Sequence, residues 1–349
     1  MSSIEPNRRV TLRDIARAVG VSVSAVSLAI RNSPRISPPM RQKIQDQLRD
    51  MDYQPDPMLS ALNHYRHARS DHPTSAELAW LNGWLVPQKL RSYGEFELYW
   101  QGAFDEARRC GFRLEEFCLA RCGGPARLES ILRARNIRGL LIPPHGANNP
   151  DWGGFHWDNF CIVRFGHSVL HPRAHLVTSD QLTGGMVAFE NIWNQGYRRI
   201  AYVTTRETAT RGTRFSAGFL QGQLKARART KLPPLLLNDE RIPKQDQELL
   251  TAWLRKARPD AILTDLSDLP RLLTRCGCLV PHDLGLAVTS VLDGNASAGI
   301  DQNSREIGKA AIQMLISLIN HNERGIPDIG RELLIEGRWS DGDTLPCKT

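Results

Sequence analysis

The stretch GVSVSAVSLAI, Gly20 to Ile30, decides how the N-terminal part of the chain is read, because it fits the second helix of a helix-turn-helix. Upstream, Thr11 can cap the run LRDIARAV, with Asp14 three residues on as its partner, and Leu12, Ile15, Ala16 and Val19 fall on one helical face. Gly20 ends that helix and Val21 continues the apolar set. Ser22 then caps a second short helix, whose Val26, Ala29 and Ile30 point back at the first. A third helix follows from Ser37, with Met40, Ile44, Leu48 and Met51 at three- and four-residue spacing, and Tyr53 closes the cluster. Two short helices across a glycine turn, braced by a third, make a helix-turn-helix; a generic three-helix bundle is the alternative. Against the bundle stands the outer face of the second helix, Val23, Ser24, Ser27 and Leu28, which is small and hydroxyl-rich where a merely solvated face would carry Lys and Glu. Such a face admits close approach to a nucleic-acid groove, and the hydroxyls of Thr11, Ser22, Ser27 and Ser37 can bond phosphates.

The bulk numbers agree with that placement. The chain has 349 residues, 41% of them hydrophobic and 23% charged, and so is expected to be a soluble globular protein of two or three domains. Its net charge is +8, and residues 1–70 alone hold 11 Lys and Arg against 6 Asp and Glu, so the polyanion-binding end is the N-terminal one. No apolar run reaches about 18 residues, and the N-terminus lacks the pattern of an export signal, which makes the cytoplasm the expected compartment and a membrane partner unexpected. The seven cysteines are scattered and are expected to be reduced thiols; Cys118 with Cys122 and Cys276 with Cys278 lack the spacing and His partners of a zinc site, so no metal is expected.

The run VTLRDIARAVGVSVSAVSLAIRNSPRISPPMRQKIQDQLRDMDYQPDPMLSAL resembles the N-terminus of the lactose-repressor (LacI/GalR) family of transcription regulators. It matches the family's VTxxDIAxxAGVSxxTVSxxLN start and its (V/I)SxxTRxKVxxxxxxLxYxP helix without a gap. The resemblance implies operator DNA as the partner, read by Val23, Ser24 and Leu28, with Leu28 at a position often filled by Arg. Apolar side chains there recognise thymine methyls, whereas a guanine edge needs Arg or Lys. Arg31 and Arg35, in the loop that follows, are candidate phosphate clamps. The family also implies a hinge helix after YQP that folds in the minor groove, with Leu62 at the wedge position and Leu59 where a small alanine is usual. Because one hinge helix cannot fill a palindromic minor-groove centre, a twofold homodimer is expected.

After the polar linker NHYRHARSDHPTS the pattern changes to apolar runs alternating with amphipathic helices. ELAWLNGWLV, FRLEEFCL, IRGLLIPP, FCIVRFG and HLVTSD read as strands, separated by helices such as YWQGAFDEARRCG and PARLESILRARN; the alternation restarts at RRIAYVT, LPPLLLN, DAILTD and DLGLAVTS and ends in the long helix NSREIGKAAIQMLISLINHN. This resembles the family's periplasmic-binding-protein-like core. The expected fold is therefore an all-α helix-turn-helix domain plus an α/β core of two doubly wound subdomains. The boundaries are 1–56 for the DNA-binding domain, 57–75 for the hinge helix and linker, and 76–349 for the effector-binding and dimerisation core. Within the core one subdomain takes 76–178 plus 302–324 and the other 179–301 plus 325–349, with crossovers near Thr178, Gln302 and Gly325.

Ligands in such folds bind beyond the carboxyl ends of the strands. A small sugar-like effector is expected there, with Trp84 after the first core strand and Tyr99 and Trp100 opening the next helix to offer aromatic faces. The family often has a ligand-binding Arg near Arg214, three residues before a glycine, but Arg214 stands four before Gly218; the family's frequent cleft Asp falls at Ser290. No Gly-rich phosphate fingerprint, G-x-S-x-G or H-E-x-x-H is found, and the HPRAH and DLSDLP groups lack partners at defined spacing, so no catalytic residue and no cofactor is expected. The reading is a DNA-binding regulator, a repressor of carbohydrate-utilisation genes; a solute-binding protein or a sugar-modifying α/β enzyme is the alternative.

Overall fold

A computed structural model describes residues 10–30, 35–51, 53, 76–146, 149–210, 214–238 and 244–348. The chain divides into two compact units, Met1–Pro73 and Thr74–Thr349. In the first, three helices, α1 (Leu12–Val19), α2 (Val23–Ile30) and α3 (Pro38–Asp50), pack around Ile15, Ala16, Val19, Val26, Ala29 and Ile44. Six buried aliphatic side chains are a small core, each contributing about 1.5–3 kcal/mol at most for the larger ones, so the local caps matter. Thr11 forms the expected capping box: its amide donates to Asp14 Oδ2 at 2.9 Å and Asp14 returns its own amide to Thr11 Oγ1 at 3.4 Å. Gly20 adopts φ +79°, and from there Gly20 and Val21 both donate to the Ala16 carbonyl to close α1 and start the turn.

The second unit follows the strand–helix alternation. Its first lobe contains β1 (Ala76–Asn82), α4 (Gly94–Arg109), β2 (Phe112–Cys118), the short α5 (Leu119–Cys122), α6 (Pro125–Ala134), β3 (Gly139–Ile142), β4 (Cys161–Phe165) and β5 (His175–Ser179). The second contains α7 (Gln181–Asn194), β6 (Ile200–Thr205), α8 (Arg206–Thr210), α9 (Phe215–Lys225), β7 (Leu235–Leu237), α10 (Lys244–Ala257), β8 (Ala261–Thr264), α11 (Leu269–Arg275), β9 (Gly285–Val288) and β10 (Gly299–Asp301). The chain then returns through α12 (Ser304–His321) and β11 (Glu332–Ile335) to the first lobe and ends with β12 (Arg338–Ser340) in the second. The sheet orders are β11-β5-β4-β3-β1-β2, parallel throughout, and β12-β10-β9-β8-β6-β7, antiparallel only where β12 meets β10. Strand alternation feeds two cores per sheet: Leu78 and Trp80 face α4 and α12, while Ala79 and Leu81 face α6. None of the described helices is long and apolar enough to cross a membrane.

Three details depart from the sequence pattern. ELAWLNGWLV is not one strand: β1 stops at Asn82, whose side-chain oxygen accepts from the Trp84 amide at 3.0 Å and whose side-chain nitrogen donates to the Pro87 carbonyl, turning the backbone out of the sheet. The helix expected to open at Tyr99 starts at Gly94. The third passage between lobes is at 336–337 rather than Gly325, because β11 still pairs with β5 in the first sheet and the Gly325 amide donates to Phe160 of that same lobe. Gly337 suits the passage, since a Cβ there would lie 2.7 Å from Ile300 Cγ2.

Each lobe is organised by two helices that cross backbone to backbone. A Cβ on Gly102 of α4 would sit 1.9 Å from the Arg305 carbonyl oxygen, and one on Gly308 of α12 would sit 2.0 Å from that of Tyr99. The second lobe repeats the device, with Gly185 of α7 against Phe215 O at 2.2 Å and Gly218 of α9 against Leu182 O at 2.0 Å. Gly102→Ala is expected to force α4 and α12 apart, costing about 1–3 kcal/mol. The check is the thermal midpoint of the full chain, which should fall by several degrees; an unchanged midpoint would mean that the helices separate freely.

Candidate functional site

In the helix-turn-helix unit, the face chosen from sequence is the one left uncovered. Val26 and Ala29 of α2 are buried, whereas Val23 and Ser24 are exposed and Ser27 and Leu28, one turn on, are half-buried beside them. No acidic or basic residue lies on this helix. The hydroxyls divide into two kinds. Thr11 Oγ1 donates to Asp14 Oδ2 at 2.6 Å, and Ser22 Oγ accepts from the Ala25 amide at 3.1 Å while sharing a hydrogen bond with Ser24, so both are already engaged at helix N-termini. Ser37 precedes α3 without capping it through its side chain, and Arg35 is exposed just before it. Arg31, Leu59 and Leu62 lie outside the described residues.

In the second unit a cleft of about 240 Å³ opens where the strand ends of the two lobes face each other. The first turns of α4 supply Glu95, Phe96 and Tyr99; the loops after β3 and β4 supply Pro144, His145 and His167; Thr178 comes from β5. The opposite wall holds Gln181, Thr208, Phe215, Asp265, Thr289 and Ser290, with Asp293 and Gln302 at the junction. Two contacts tie the walls. The Asp293 carboxylate accepts from the amides of Gly94 at 2.7 Å and Glu95 at 3.1 Å, so the second lobe caps a first-lobe helix whose own N-cap, Tyr93, does not cap it through its side chain. Ser179 Oγ donates to Gln302 Oε1 at 2.6 Å, and Gln302 Nε2 donates to the Thr289 carbonyl at 3.0 Å, bridging two of the interlobe passages.

Burial dominates the electrostatics of this cleft. Glu95 is 5% exposed, and its desolvation, aided by Asp293 and Asp301 and opposed by the Ser290 and Ser304 hydroxyls, pushes its pKa up to about 8. Burial also pushes His145 and His167 down to about 4, so both rings are neutral near pH 7. No Lys or Arg is among the described lining residues. Arg164 and Arg214, which help to depress His167, are turned elsewhere: Arg164 donates to the carbonyls of Ala174, Gly166 and Val169, and Arg214 pairs with Glu332 of β11 at 3.2 Å.

Of the expected effector residues, Tyr99 and Ser290 line the cleft, and Trp84, Trp100 and Arg214 do not. Trp84 sits in the turn after β1 and donates its indole N–H to the Pro144 carbonyl at 2.8 Å, bracing the wall from behind. Trp100 is rotated off the cleft face of α4, edge-on to Trp80 at 5.5 Å and under the Arg91 guanidinium at 4.9 Å. The position three residues before Gly218 belongs to Phe215, which does line the cleft; the spacing anomaly at Arg214 was the signal for it. By sequence DLSDLP lacks partners at defined spacing, yet Asp265 of that run lines the cleft and accepts from the hydroxyls of Tyr202 and Thr204, each at 3.0 Å. Glu95, His145, His167 and Asp293 carried no local signal.

A helix-turn-helix unit followed by two parallel α/β lobes around a polar cleft defines a class of regulators. Residues 11–56 match the family described as "Bacterial regulatory proteins, lacI family", and residues 189–341 match the "Periplasmic binding protein-like domain". The HTH-type transcriptional regulator MalR of Streptococcus pneumoniae serotype 4 is 22% identical over 339 residues, 93% of this chain and 97% of that one. The HTH-type transcriptional repressor PurR of Mannheimia succiniciproducens is 21% identical over 343 residues, with the same coverage of 93% and 97%. Among solved structures, the transcriptional regulator CelR in complex with cellobiose aligns with a TM-score of 0.56 at 19% identity over 96% of this chain and 100% of that one. The lac repressor dimer bound to operator and the anti-inducer ONPF aligns at 0.53 and 15%, over 97% and 100%. At such identities the structures speak for the fold. Residues 11–56 carry the DNA-binding domain of the lacI family of bacterial regulatory proteins, and the chain is a helix-turn-helix, DNA-binding transcriptional regulator.

The buried Glu95 gives a pH signature. Its folded pKa of about 8 lies above the ordinary 4.5, so its contribution to stability is complete below about 4.5 and is lost as pH rises through about 8. Relative to Glu95→Gln, the wild type is expected to lose stability from about pH 5 to pH 8, by at most about 1.4 kcal/mol for each pH unit. Parallel midpoint-versus-pH curves for the two proteins would show instead that Glu95 stays hydrated.

Proposed function

We propose that this regulator represses carbohydrate-utilisation genes in the cytoplasm by binding a palindromic operator as a twofold homodimer, and that a small sugar-like effector held between the two core lobes sets its affinity for DNA. The carrying observation is the pairing, on one chain, of an uncharged, hydroxyl-bearing α2 face with a cleft that combines aromatic faces, hydroxyls and side-chain amides. The similar CelR structure is a complex with cellobiose, which supports a sugar for the cleft. In this reading Val23, Ser24, Ser27 and Leu28 enter the major groove, while Thr11, Ser22, Arg31, Arg35 and Ser37 hold phosphates. Leu62 wedges the central minor groove, with Leu59 three residues earlier in the chain beside it. Tyr99 and Ser290 contact the effector; Trp84, Trp100 and Arg214 support the walls rather than touching it.

The apolar α2 face makes outer-base recognition favour A·T pairs, leaving phosphates and hinge to supply much of the affinity. Selection of binding sites from random DNA, followed by gel shifts, tests this. The selected sites should be inverted repeats, and Leu28→Arg should move their outer bases toward guanine. Leu62→Ala should weaken the selected site far more than random DNA, whereas Arg31→Ala should weaken both and flatten the salt dependence. Sites without symmetry, or equal losses on both DNAs for Leu62→Ala, would reject the reading. For the effector, a carbohydrate screen by thermal shift should yield a ligand that changes operator affinity by about 1–3 kcal/mol. Failure of every carbohydrate to bind or to alter DNA affinity would reject the sugar assignment.

A further inference from the structure

We propose that the ligand of this cleft is a positively charged amino sugar whose ammonium group is received by Glu95, and not a neutral or phosphorylated sugar; the inference rests on the effector reading of the cleft given above.

The lining holds three carboxylates, Glu95, Asp265 and Asp293, and among its described residues no Lys or Arg. Two of the three accept hydrogen bonds from named groups of the protein. Asp293 accepts the amides of Gly94 and Glu95 with its two oxygens, and Asp265 Oδ2 accepts the hydroxyls of Tyr202 and Thr204. Glu95, at 5% exposure, has the Ser290 and Ser304 hydroxyls beside its carboxyl, and its Oε1 has no hydrogen-bond partner. The cleft residue His145 is likewise buried, at 4% exposure, with neither ring nitrogen partnered and the ring held neutral. Buried polar atoms left open in a cavity are acceptors and donors that await a ligand.

The sign of that ligand follows from the charges around Glu95. Burial first, and then the charges of Asp293 from the loop after β9 and Asp301 from β10, raise its proton affinity; only the neutral hydroxyls of Ser290 and Ser304 oppose them, and Tyr99 on the same helix is itself held protonated. The two cleft histidines are neutral, and Arg164 and Arg214 are bonded elsewhere. A buried carboxyl with no cation at hand keeps its proton; an ammonium ion supplies the missing partner, and the carboxyl then ionises against it. The aromatic rings of Phe96, Tyr99 and Phe215 border the same space, and ring faces favour a cation as well as sugar C–H surfaces. A phosphate would be set against Asp265 and Asp293 with no cation among the described lining residues to receive it. Binding is balanced as follows: the Glu95 carboxyl meets the ligand's –NH3+, an ion pair forms, and one proton passes to solvent.

The test uses the full-length protein and titration calorimetry at pH 6.5 in two buffers of different ionisation enthalpy, where both Glu95 and the amine begin protonated. The panel is glucosamine, galactosamine and mannosamine, each with its N-acetyl derivative, parent hexose and hexose 6-phosphate. One amine should bind roughly tenfold or more tightly than its three counterparts and release close to one proton. Its affinity should rise from pH 5.5 to 6.5 by up to about tenfold, because a proton must leave. Glu95→Gln should abolish both the proton release and the preference for the amine. The proposal is overturned if a neutral or phosphorylated sugar binds as tightly as its amine, if no proton is released, if Glu95→Gln retains the preference, or if no amine in the panel binds while another sugar does. If no carbohydrate of any kind binds or changes operator affinity, the effector reading fails first.

Discussion

The contact on which the core depends is the Asp293 carboxylate seated on the first turn of α4. A helix begins with amides that have no partner inside the helix, and α4 has no side-chain cap of its own. The second lobe supplies one, through bonds of 2.7 and 3.1 Å to Gly94 and Glu95. A charged acceptor at a helix N-terminus also meets the favourable end of the helix dipole. Closing the lobes therefore completes a secondary-structure element, and opening them leaves it incomplete.

That clasp has an electrostatic consequence. It seals Glu95 on the next residue into the cleft wall, where desolvation and the neighbouring Asp293 charge both favour the protonated form. Closure and protonation of Glu95 are thus linked in free energy: what stabilises one stabilises the other. Gln302, holding Ser179 on one side and the Thr289 carbonyl on the other, joins the two passages beside the cleft.

The glycine crossings fix the positions of the helices that carry the cleft residues. With Gly102 and Gly308 touching backbone to backbone, α4 cannot shift against α12 without breaking close packing; Gly185 and Gly218 fix α7 against α9 in the same way. Glu95, Phe96 and Tyr99 are carried by one crossing pair, and Gln181 and Phe215 by the other. Each wall of the cleft is thus built on a closely packed helix pair.

The sequence by itself determined the elements whose causes are local. Apolar spacing, the Thr11–Asp14 box and Gly20 specify the three N-terminal helices, and the outward position of Val23, Ser24, Ser27 and Leu28 follows from which residues of α2 must be inside. Runs such as IRGLLIPP and DAILTD specify strands buried on both faces, and their alternation with helices specifies two parallel sheets. Tertiary structure alone decided whatever depends on partners far apart in the chain. The start of α4 at Gly94 is set by Asp293, 199 residues away. The side on which the chain last changes lobe is set by β11 pairing with β5, and the exclusion of Trp84 and Trp100 from the cleft is set by contacts with Pro144, Trp80 and Arg91. Even the character of the cleft was hidden in the same way: a carboxyl such as Glu95 is an ordinary exposed charge by sequence, and it is a buried acid with one unpartnered oxygen only because elements far apart in the chain surround it.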